Sequence, residues 1–369
     1  MAAEPGAIAA DAAHMRRALR LAERGRGRTS PNPLVGAVIV DESGVIVGDG
    51  FHEAAGQAHA EIRALEAAGS RARGATLYCT LEPCCHTGRT GPCVDRIVAA
   101  GIRRVVAAAT DPNPLVSGGG FRALRAHGLD VVVGVEEAAA RRQNAAFFTW
   151  IREGRPYVIA KAAVSLDGAI AAAPGVRSEI SGALARRLVQ RTRAEVDAIG
   201  VGSGTVLADD PVLTARDVYR SRPLVRVVFD RRLRLPLGAR LVASAAEGPV
   251  VVLTSTRAVE ERARHAAQLR DAGICLEALA DLGLPAAMGR LAGRGISSLL
   301  LEGGAALHAA AWNARMIDRV QLFVAPCRLG NDGVPVFGEA PFSVADLDNR
   351  RVTPCGDDVL IEGDVQRAD

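Results

Sequence analysis

Hydrophobic and polar positions follow two periods along this chain, one of helices and one of strands. Asp11 to Arg24 puts Met15, Ala18, Leu19 and Ala22 on one helical face. The residues before it are expected to form an unstructured lead-in. Leu34 to His52 reads as two strands about a turn at Asp41 to Gly44. Ala58 to Gly69 has apolar residues at helical spacing and a terminal Gly, which puts His59 and Glu61 in the first turn of a helix. Thr76 to Cys84 predicts a strand ending at Pro83, and Pro92 to Ile102 a helix that begins at Cys93. Strand, helix and strand follow at 103–114, 121–128 and 129–135, and 136–156 reads as one helix running into a turn. Apolar strands and helices alternate again from Pro156. Strands are expected at 156–172, from Ala198, at 223–230, at 249–255, from Ile296 into a Gly303-Gly304 turn and a helix, and at 319–330 and 357–365. Alternation of this kind predicts sheets with helices on their faces. The pattern implies two α/β domains, a three-layer sandwich over residues 1–152 and an open sheet over 153–369.

Composition narrows the picture. A chain of 369 residues is long enough for two ordinary cores, and 49% hydrophobic content with 39 Gly suits an α/β protein. Aromatic residues make up 4%, which argues against stacking along nucleic acid. The net charge of +4 is spread without a tail or stripe, and Lys161 is the single lysine among 45 basic residues. The start of the chain lacks the basic-then-apolar pattern of a signal peptide, and no apolar run approaches the roughly 20 residues of a membrane span. Seven cysteines, four of them between Cys79 and Cys93, fit a metal site in a reducing compartment and not a disulfide framework. A cytoplasmic protein that binds neither nucleic acid nor membrane is expected.

The cysteine cluster belongs to a longer pattern. His59-x-Glu61, then Pro83-Cys84 and Cys93, is the signature of zinc-dependent deaminases. Hydrolytic deamination needs hydroxide at neutral pH, and a zinc ion with three protein ligands and an open position lowers the pKa of its water to about 7. His59, Cys84 and Cys93 would be the ligands. Glu61 would carry protons as general base and then general acid. Cys93 at a helix start favours the thiolate, while Cys79 reads as a small buried hydrophobe.

The spacing from Cys84 to Cys93 is longer than in small-base deaminases. The segment Cys84-Cys-His-Thr-Gly-Arg-Thr-Gly-Pro-Cys93 resembles that of the bifunctional deaminase/reductase family of riboflavin biosynthesis. Cys85 stands there at a usual Ser and Gly91 at a usual Pro, and Cys85 could compete for the metal. His86 and Arg89 would touch an anionic substrate or only shape the loop. Thr29-x-Pro31-Asn32-Pro33-x-Val35-Gly36 matches too, with Ala37 at a usual Cys. Asn32 would hold the substrate ring or fix its own loop. Gly118 to Gly120 resembles the family's Gly-x-Gly and reads as a turn before a helix.

The second half carries no dinucleotide fingerprint. Its outstanding segment, Ala198 to Thr214, runs from a strand into glycines, Thr205, Asp209 and Asp210. By itself that is a capped turn or a ligand site. With Lys161-x-Ala-x-Ser165-Leu-Asp167-Gly168, Leu301-Glu302-Gly303-Gly304 and Pro326-x-x-Leu329-Gly330 it resembles the reductase half of the same family. The resemblance covers residues 13 to 365. It implies a cytidine-deaminase-like α/β/α sandwich followed by a dihydrofolate-reductase-like α/β domain, and two cofactors, zinc and NADPH.

From the resemblance, Arg193, Leu213, Arg216 and Glu302 line the substrate pocket, with an arginine fork on a phosphate. Ala163, Thr205, Asp209 and the turn from Gly304 to His308 hold NADPH. A hydride would reach C1 of a ribose opened as an imine. The substrate would be a small phosphorylated pyrimidine, and a homo-oligomer is expected. Arg177 and Glu179 depart from the family's usual Ser and Trp. They motivate one rival, a deaminase whose second domain no longer reduces. Two others are a nucleic-acid deaminase and a purely structural zinc site completed by Cys85 or His86.

Overall fold

A computed structural model of the protein describes residues 5–85, 91–176, 178–281 and 283–366. The chain divides into two compact units, Met1–Glu153 and Gly154–Asp369. Among the described residues the first unit has five strands in one sheet: β1 (Gly36–Val40), β2 (Ile46–Phe51), β3 (Thr76–Cys79), β4 (Arg104–Ala107) and β5 (Asp130–Val133). Their order is β2-β1-β3-β4-β5. β1 runs antiparallel to both neighbours, and β3, β4 and β5 run parallel. Parallel neighbours require crossovers, here made by α3 (Cys93–Ala99) and α4 (Gly119–Ala126). The other helices are α1 (Pro5–Glu23), α2 (Ala60–Ala68), α5 (Glu137–Gln143) and α6 (Ala145–Glu153).

Strand alternation builds two cores. Leu77 and Cys79 of β3 join Ala64, Ile97 and Leu124 on one face. Tyr78, between them, joins Met15, Val38, Val106 and Phe148 on the other. The result is the three-layer sandwich that the pattern predicts. Helix α1 lies so close to β1 that a Cβ at Gly36 would sit 2.0 Å from the Ala18 carbonyl oxygen. Asp11 clamps that helix to the sheet, accepting hydrogen bonds from the Tyr78 hydroxyl at 2.8 Å and from Arg104 at 2.9 and 2.8 Å.

Three boundaries differ from the pattern. Helix α1 already starts at Pro5, because Pro suits a first helical turn and the alanines after it favour helix. β3 stops at Cys79 and not at Pro83, since the Thr80 hydroxyl turns to accept the Gly36 N–H and Glu82 turns to the 111–121 loop. The predicted helix over 136–156 is split at Asn144. Its side chain accepts the Leu34 N–H at 2.7 Å and donates to the Leu34 carbonyl at 2.9 Å.

Among the described residues, the second unit has a nine-stranded sheet. Its members are β6 (Tyr157–Val164), β8 (Ala198–Gly202), β9 (Val225–Phe229), β10 (Val250–Ser255), β11 (Cys275–Leu279), β12 (Ser298–Leu301), β13 (Arg319–Val324), β15 (Leu347–Cys355) and β16 (Asp358–Val365). The order is β11-β10-β9-β8-β12-β6-β13-β16-β15. It is parallel from β11 to β13 and antiparallel at the β16 and β15 edge. Neighbouring residues of β12 again face opposite cores, Leu299 and Leu301 into one and Leu300 into the other.

The expected strand over 156–172 ends at Val164. Gly168 turns it with φ 77°, and β7 (Ala169–Ala171) pairs instead with β14 (Val334–Pro335) in a separate ribbon. Asp167 secures that turn by accepting from Leu329 N–H and Gly330 N–H at 3.1 and 2.9 Å and from the Ser165 hydroxyl. Helices α7 (Ala183–Glu195), α8 (Ser203–Asp209), α9 (Arg240–Ala243), α10 (Thr256–Glu261), α11 (Ala263–Asp271), α12 (Leu284–Ala292) and α13 (Ala305–Asn313) complete the unit.

A buried ion pair fixes where β6 and β13 begin. Arg155 grips Asp318 through two bonds of 2.7 and 2.8 Å, both side chains are 7% exposed, and Asp318 also accepts the Val158 N–H at 2.7 Å. Removing one partner of such a pair strands the other charge, at a cost of about 3–5 kcal/mol. Asp318→Ala is therefore expected to lower the unfolding free energy by that amount in urea titrations; a loss under about 1 kcal/mol would show that this pair does not anchor the unit.

Candidate active sites

The first site assembles at helix starts and one strand exit. His59 is the N-cap of α2, in extended conformation at φ −70° and ψ 160°, and its side chain makes no capping bond. The imidazole is thereby left for other partners. Cys84 lies in the loop after β3, and Cys93 opens α3 behind Pro92. Nδ1 of His59 stands 3.2 Å from Sγ of Cys93 and 3.6 Å from Sγ of Cys84. In a tetrahedral zinc site, bond lengths of about 2.0 and 2.3 Å put N and S ligands about 3.5 Å apart. The donor set and its spacing therefore fit zinc. His59, Cys84 and Cys93 form the one such group among the described residues.

Electrostatics divide the cysteine pair: Cys93 keeps the shared proton, its thiol pushed up by the bond to Cys84 and by burial, and Cys84 is the thiolate. The Cys93 hydrogen bond, against the cost of burial and with help from His59, holds the Cys84 thiol down to about 4, and thiolate is the metal-binding form. Cys93 adds its backbone N–H to that sulfur at 3.3 Å. Glu61 is 3% exposed in the same first turn of α2, and burial raises its carboxyl above the ordinary range. A glutamate so placed can hold and release a proton.

The surrounding groups were only partly foreseen. Asn32 donates from Nδ2 to Nε2 of His52 at 3.2 Å, while Nδ1–H of His52 donates to the Ala58 carbonyl at 3.2 Å. Burial lowers the pKa of His52, in keeping with this neutral tautomer, and its ring meets that of His59 edge-on at 5.6 Å. The Asn32 amide thus secures a second histidine and not merely its own loop. Cys85 stays outside the ligand group and faces Gly119, where a Cβ would come within 2.8 Å of its sulfur. His86 and Arg89 lie outside the described residues. Cys79 is a fully buried core residue, as read from the sequence.

Glu82 escaped the sequence reading altogether. It is 4% exposed and accepts N–H groups from Asp111 (3.2 Å), Gly118 (2.9 Å), Gly120 (2.9 Å) and Phe121 (3.3 Å). Its carboxylate therefore ties the Cys84 segment to the glycine turn ahead of α4. The turn needs glycine, because a Cβ at Gly120 would sit 2.1 Å from the Pro83 carbonyl oxygen. The one signal in the sequence was its place two residues before Cys84.

The second site is a cavity of 740 Å³ in the second unit. It opens beyond the carboxyl ends of β8, β12 and β6, which are adjacent and parallel, the usual place for ligands in such sheets. Ala163, Arg193, Thr205, Asp209, Leu213, Arg216, Glu302, Gly304 and His308 all line it, joined by Lys161.

Glu302 is the charged centre of this wall. Arg193 forks onto it with Nε–Oε1 at 2.7 Å and Nη2–Oε2 at 2.8 Å, and Lys161 Nζ stands 3.7 Å from Oε2. Burial alone would raise this carboxyl, but Lys161 and Arg193 overcome it and hold it at about 2. The third Arg193 nitrogen donates to the Thr214 carbonyl at 2.7 Å. The fork expected on a phosphate is thus engaged within the protein. Arg216 lines the cavity, is exposed, and has no side-chain partner among the described residues.

Gly303 and Gly304 form a cradle beside Thr205, where a Cβ at Gly304 would lie 3.2 Å from the Thr205 hydroxyl. Gly304 is also the N-cap of α13, so backbone N–H groups face the cavity as an anion would require. The size of the cavity and this cradle fit a dinucleotide cofactor. His308 is fully buried, donates from Nε2 to the Leu301 carbonyl at 3.2 Å, and is held neutral by burial at about 4. Glu179 is exposed and does not line the cavity, and Arg177 lies outside the described residues.

Residues 9–109 match the family model of the cytidine and deoxycytidylate deaminase zinc-binding region, and residues 156–361 match that of the RibD C-terminal domain. The riboflavin biosynthesis protein RibD of Aquifex aeolicus is 40% identical over 95% of this chain and 97% of its own length. The RibD of Escherichia coli is 41% identical over 87% and 89%. Acinetobacter baumannii RibD superposes with a TM-score of 0.84 at 36% identity, covering 98% of this chain and all of that one. A diaminohydroxyphosphoribosylaminopyrimidine deaminase/5-amino-6-(5-phosphoribosylamino)uracil reductase from Thermotoga maritima gives 0.83 at 35%, with 98% and 100% covered.

Glu82→Ala is expected to strand several buried N–H groups at once. One such group costs about 1–3 kcal/mol, so the variant should lose at least about 2 kcal/mol of unfolding free energy. Amides of 111–121 should exchange faster with deuterium. Unchanged exchange would show that this loop holds itself.

Proposed function

The chain belongs to the RibD family of bifunctional riboflavin-biosynthesis enzymes, and from that premise we propose how its own residues divide a zinc-dependent deamination and an NADPH-dependent reduction between the two units. The family's two folds, cytidine-deaminase-like and dihydrofolate-reductase-like, are both present. The Thermotoga relative is named for its substrates. We assign the same pair here, 2,5-diamino-6-ribosylamino-4(3H)-pyrimidinone 5′-phosphate for deamination and its uracil product for reduction. The boundary between the working domains is proposed at Glu153/Gly154. The observation that carries the reading is the convergence of His59, Cys84 and Cys93 beside the buried Glu61, in one chain with a cavity centred on Glu302.

In the first domain, His59, Cys84 and Cys93 would hold zinc, which supplies a water acidified toward neutral pH. Glu61 takes a proton from the water that adds to the ring carbon and delivers it to the ring nitrogen. It then moves the proton of the added hydroxyl to the amino group, which leaves as ammonia, so that C–NH2 becomes C=O. Asn32, anchored on His52, would hold the ring edge with the rest of its amide.

In the second domain, Gly303, Gly304 and the start of α13 would hold NADPH phosphate with Thr205, and Arg216 would hold the phosphate of the substrate. NADPH supplies the hydride for C1 of the opened ribose. Glu302 stays ionised at working pH and cannot donate a proton there. It serves as a fixed anion that orients Arg193 and Lys161 along the cavity wall. Lys161 would offer a cation to the sugar from that wall, and hydride plus one proton converts the opened ribosyl imine to ribityl.

Free cysteines throughout, and the absence among the described residues of any helix long and apolar enough to cross a membrane, support a cytoplasmic setting. A homo-oligomer is proposed from the resemblance and is testable by light scattering.

Two results are expected. Glu61→Ala should abolish ammonia release, a loss of at least about 10²–10⁴, yet leave NADPH oxidation with the deaminated compound intact; loss of both would refute independent sites. For reduction, Glu302 is a carboxyl with a depressed pKa, so its contribution is present above the ordinary carboxylate range and fails only as pH falls through about 2. The kcat/KM profile of the reductase should therefore show no acid limb near pH 4–5. A limb there would mean that Glu302 is unpaired in the working enzyme.

A further inference from the structure

The last turn of α7 carries Arg193, which holds Glu302. A helix leaves its final carbonyls without internal partners. In α7 two of those groups, at Arg193 and Ala194, are met by one side chain, which also takes carbonyls just past the helix end. Arg220, in the loop between α8 and β9, donates from Nη1 to the carbonyls of Arg193 (3.0 Å), Ala194 (2.8 Å) and Val196 (2.6 Å). Nη2 reaches the Asp197 and Pro223 carbonyls, both at 3.5 Å. A cation there also suits the negative end of the helix dipole.

The same loop is clipped to α7 at two more places. The Arg216 N–H donates to Oε1 of Gln190 at 2.8 Å, and the Thr214 carbonyl accepts from Arg193 at 2.7 Å. Just ahead of them Leu213, 4% exposed, is held at φ 57°, a left-handed conformation that a leucine adopts only when its surroundings impose it. Arg222 adds a bond of 2.6 Å to Asp197, where β8 begins. One loop thus supplies the cavity residues Leu213 and Arg216 and fastens the helix end that bears Arg193.

We propose that Arg220 is a positioning residue of the reductase, setting the Arg193–Glu302 pair and the Leu213–Arg216 segment against the substrate by capping the carboxyl end of α7. It touches no reacting atom. Burial draws its own pKa down to about 10, so it remains a cation through the working range. The proposal rests on the reading of the cavity given above.

The groups that face Glu302 are Arg193 from α7, Lys161 from β6 and His308 from α13. If Arg193 drifts, Glu302 loses one of the two cations that lower its carboxyl, and that carboxyl rises. A residue that only stabilised the fold would not produce that change in a folded variant.

The test uses the full chain with zinc and NADPH, and compares Arg220→Ala, Arg220→Lys and Glu302→Gln. Arg220→Ala should lose about ten- to a hundred-fold in kcat/KM for reduction, show a new acid limb in its pH profile, and retain deamination. Arg220→Lys, which can still donate to the carbonyls, should recover most of the rate. A folded Arg220→Ala that reduces at the parent rate, or a slowed variant whose acid limb has not moved, overturns the proposal. Should Arg220→Ala not fold, judged by lost deamination and circular dichroism, Arg220→Met, which keeps the apolar stem but has no N–H to donate, is held to the same two criteria. Full reduction by Glu302→Gln would instead refute the cavity reading. A dead Glu302→Gln beside a normal Arg220→Ala removes the positioning role alone.

Discussion

A carboxylate taken out of water must keep a proton, collect N–H groups or sit beside a cation, and three buried glutamates of this chain take these three courses. Glu61 has no cationic side chain against it once His59 serves a metal, and burial pushes its carboxyl toward holding a proton. Glu82 gathers four backbone N–H groups and becomes a scaffold. Glu302 takes Arg193 and Lys161 and remains an anion well below neutral pH. The same side chain thus becomes a proton carrier, a brace or a fixed charge according to what the fold places within about 3 Å of it.

Parallel sheets bring these partners together. β3 and β4 end side by side, so the Cys84 segment and the 111–121 loop emerge next to each other and Glu82 can join them. β8, β12 and β6 do the same for α8, the Gly303-Gly304 cradle and the Lys161 wall. Helix starts then add oriented N–H groups, at Cys93 toward a sulfur and at Gly304 toward the cavity. His59 is the telling exception. An N-cap side chain ordinarily bonds to its own helix, and its freedom from that bond leaves Nδ1 to face two cysteines.

Local patterns made much of this legible. The helical faces of α1 and α2 lie where period puts them, His59, Cys84 and Cys93 come together, and the reductase residues drawn from the resemblance share one cavity, Glu179 excepted. What stayed hidden depends on contacts distant in sequence. Asn144 breaks a helix by gripping Leu34, 110 residues away, and no local propensity records that bond. β15 is exposed over most of its length, so it shows no alternation to read. The continuous apolar run after Pro156 concealed the turn at Gly168, because Asp167 is secured by backbone N–H groups some 160 residues on. His52, Glu82 and Arg220 were missed for the same reason: each acts through partners that only the fold supplies.

Arg193 shows how a residue expected to fork onto a ligand can already be engaged within the protein. Motif reasoning located it at the cavity, and guanidinium geometry suggested a phosphate. The fold provides a planar partner in Glu302 and a carbonyl in Thr214, and together they take three of the five guanidinium N–H groups. This also explains why the chain's single lysine is where it is. Both Glu302 oxygens are engaged by Arg193, so a second planar fork at position 161 would find no matching pair of acceptors. A compact ammonium on a flexible stem can approach Oε2 from the side, at 3.7 Å, and still present its remaining N–H groups to the cavity. Elsewhere the protein uses arginine to span several carbonyls at once, as Arg220 and Arg226 do. At this wall a point charge is what the geometry accommodates.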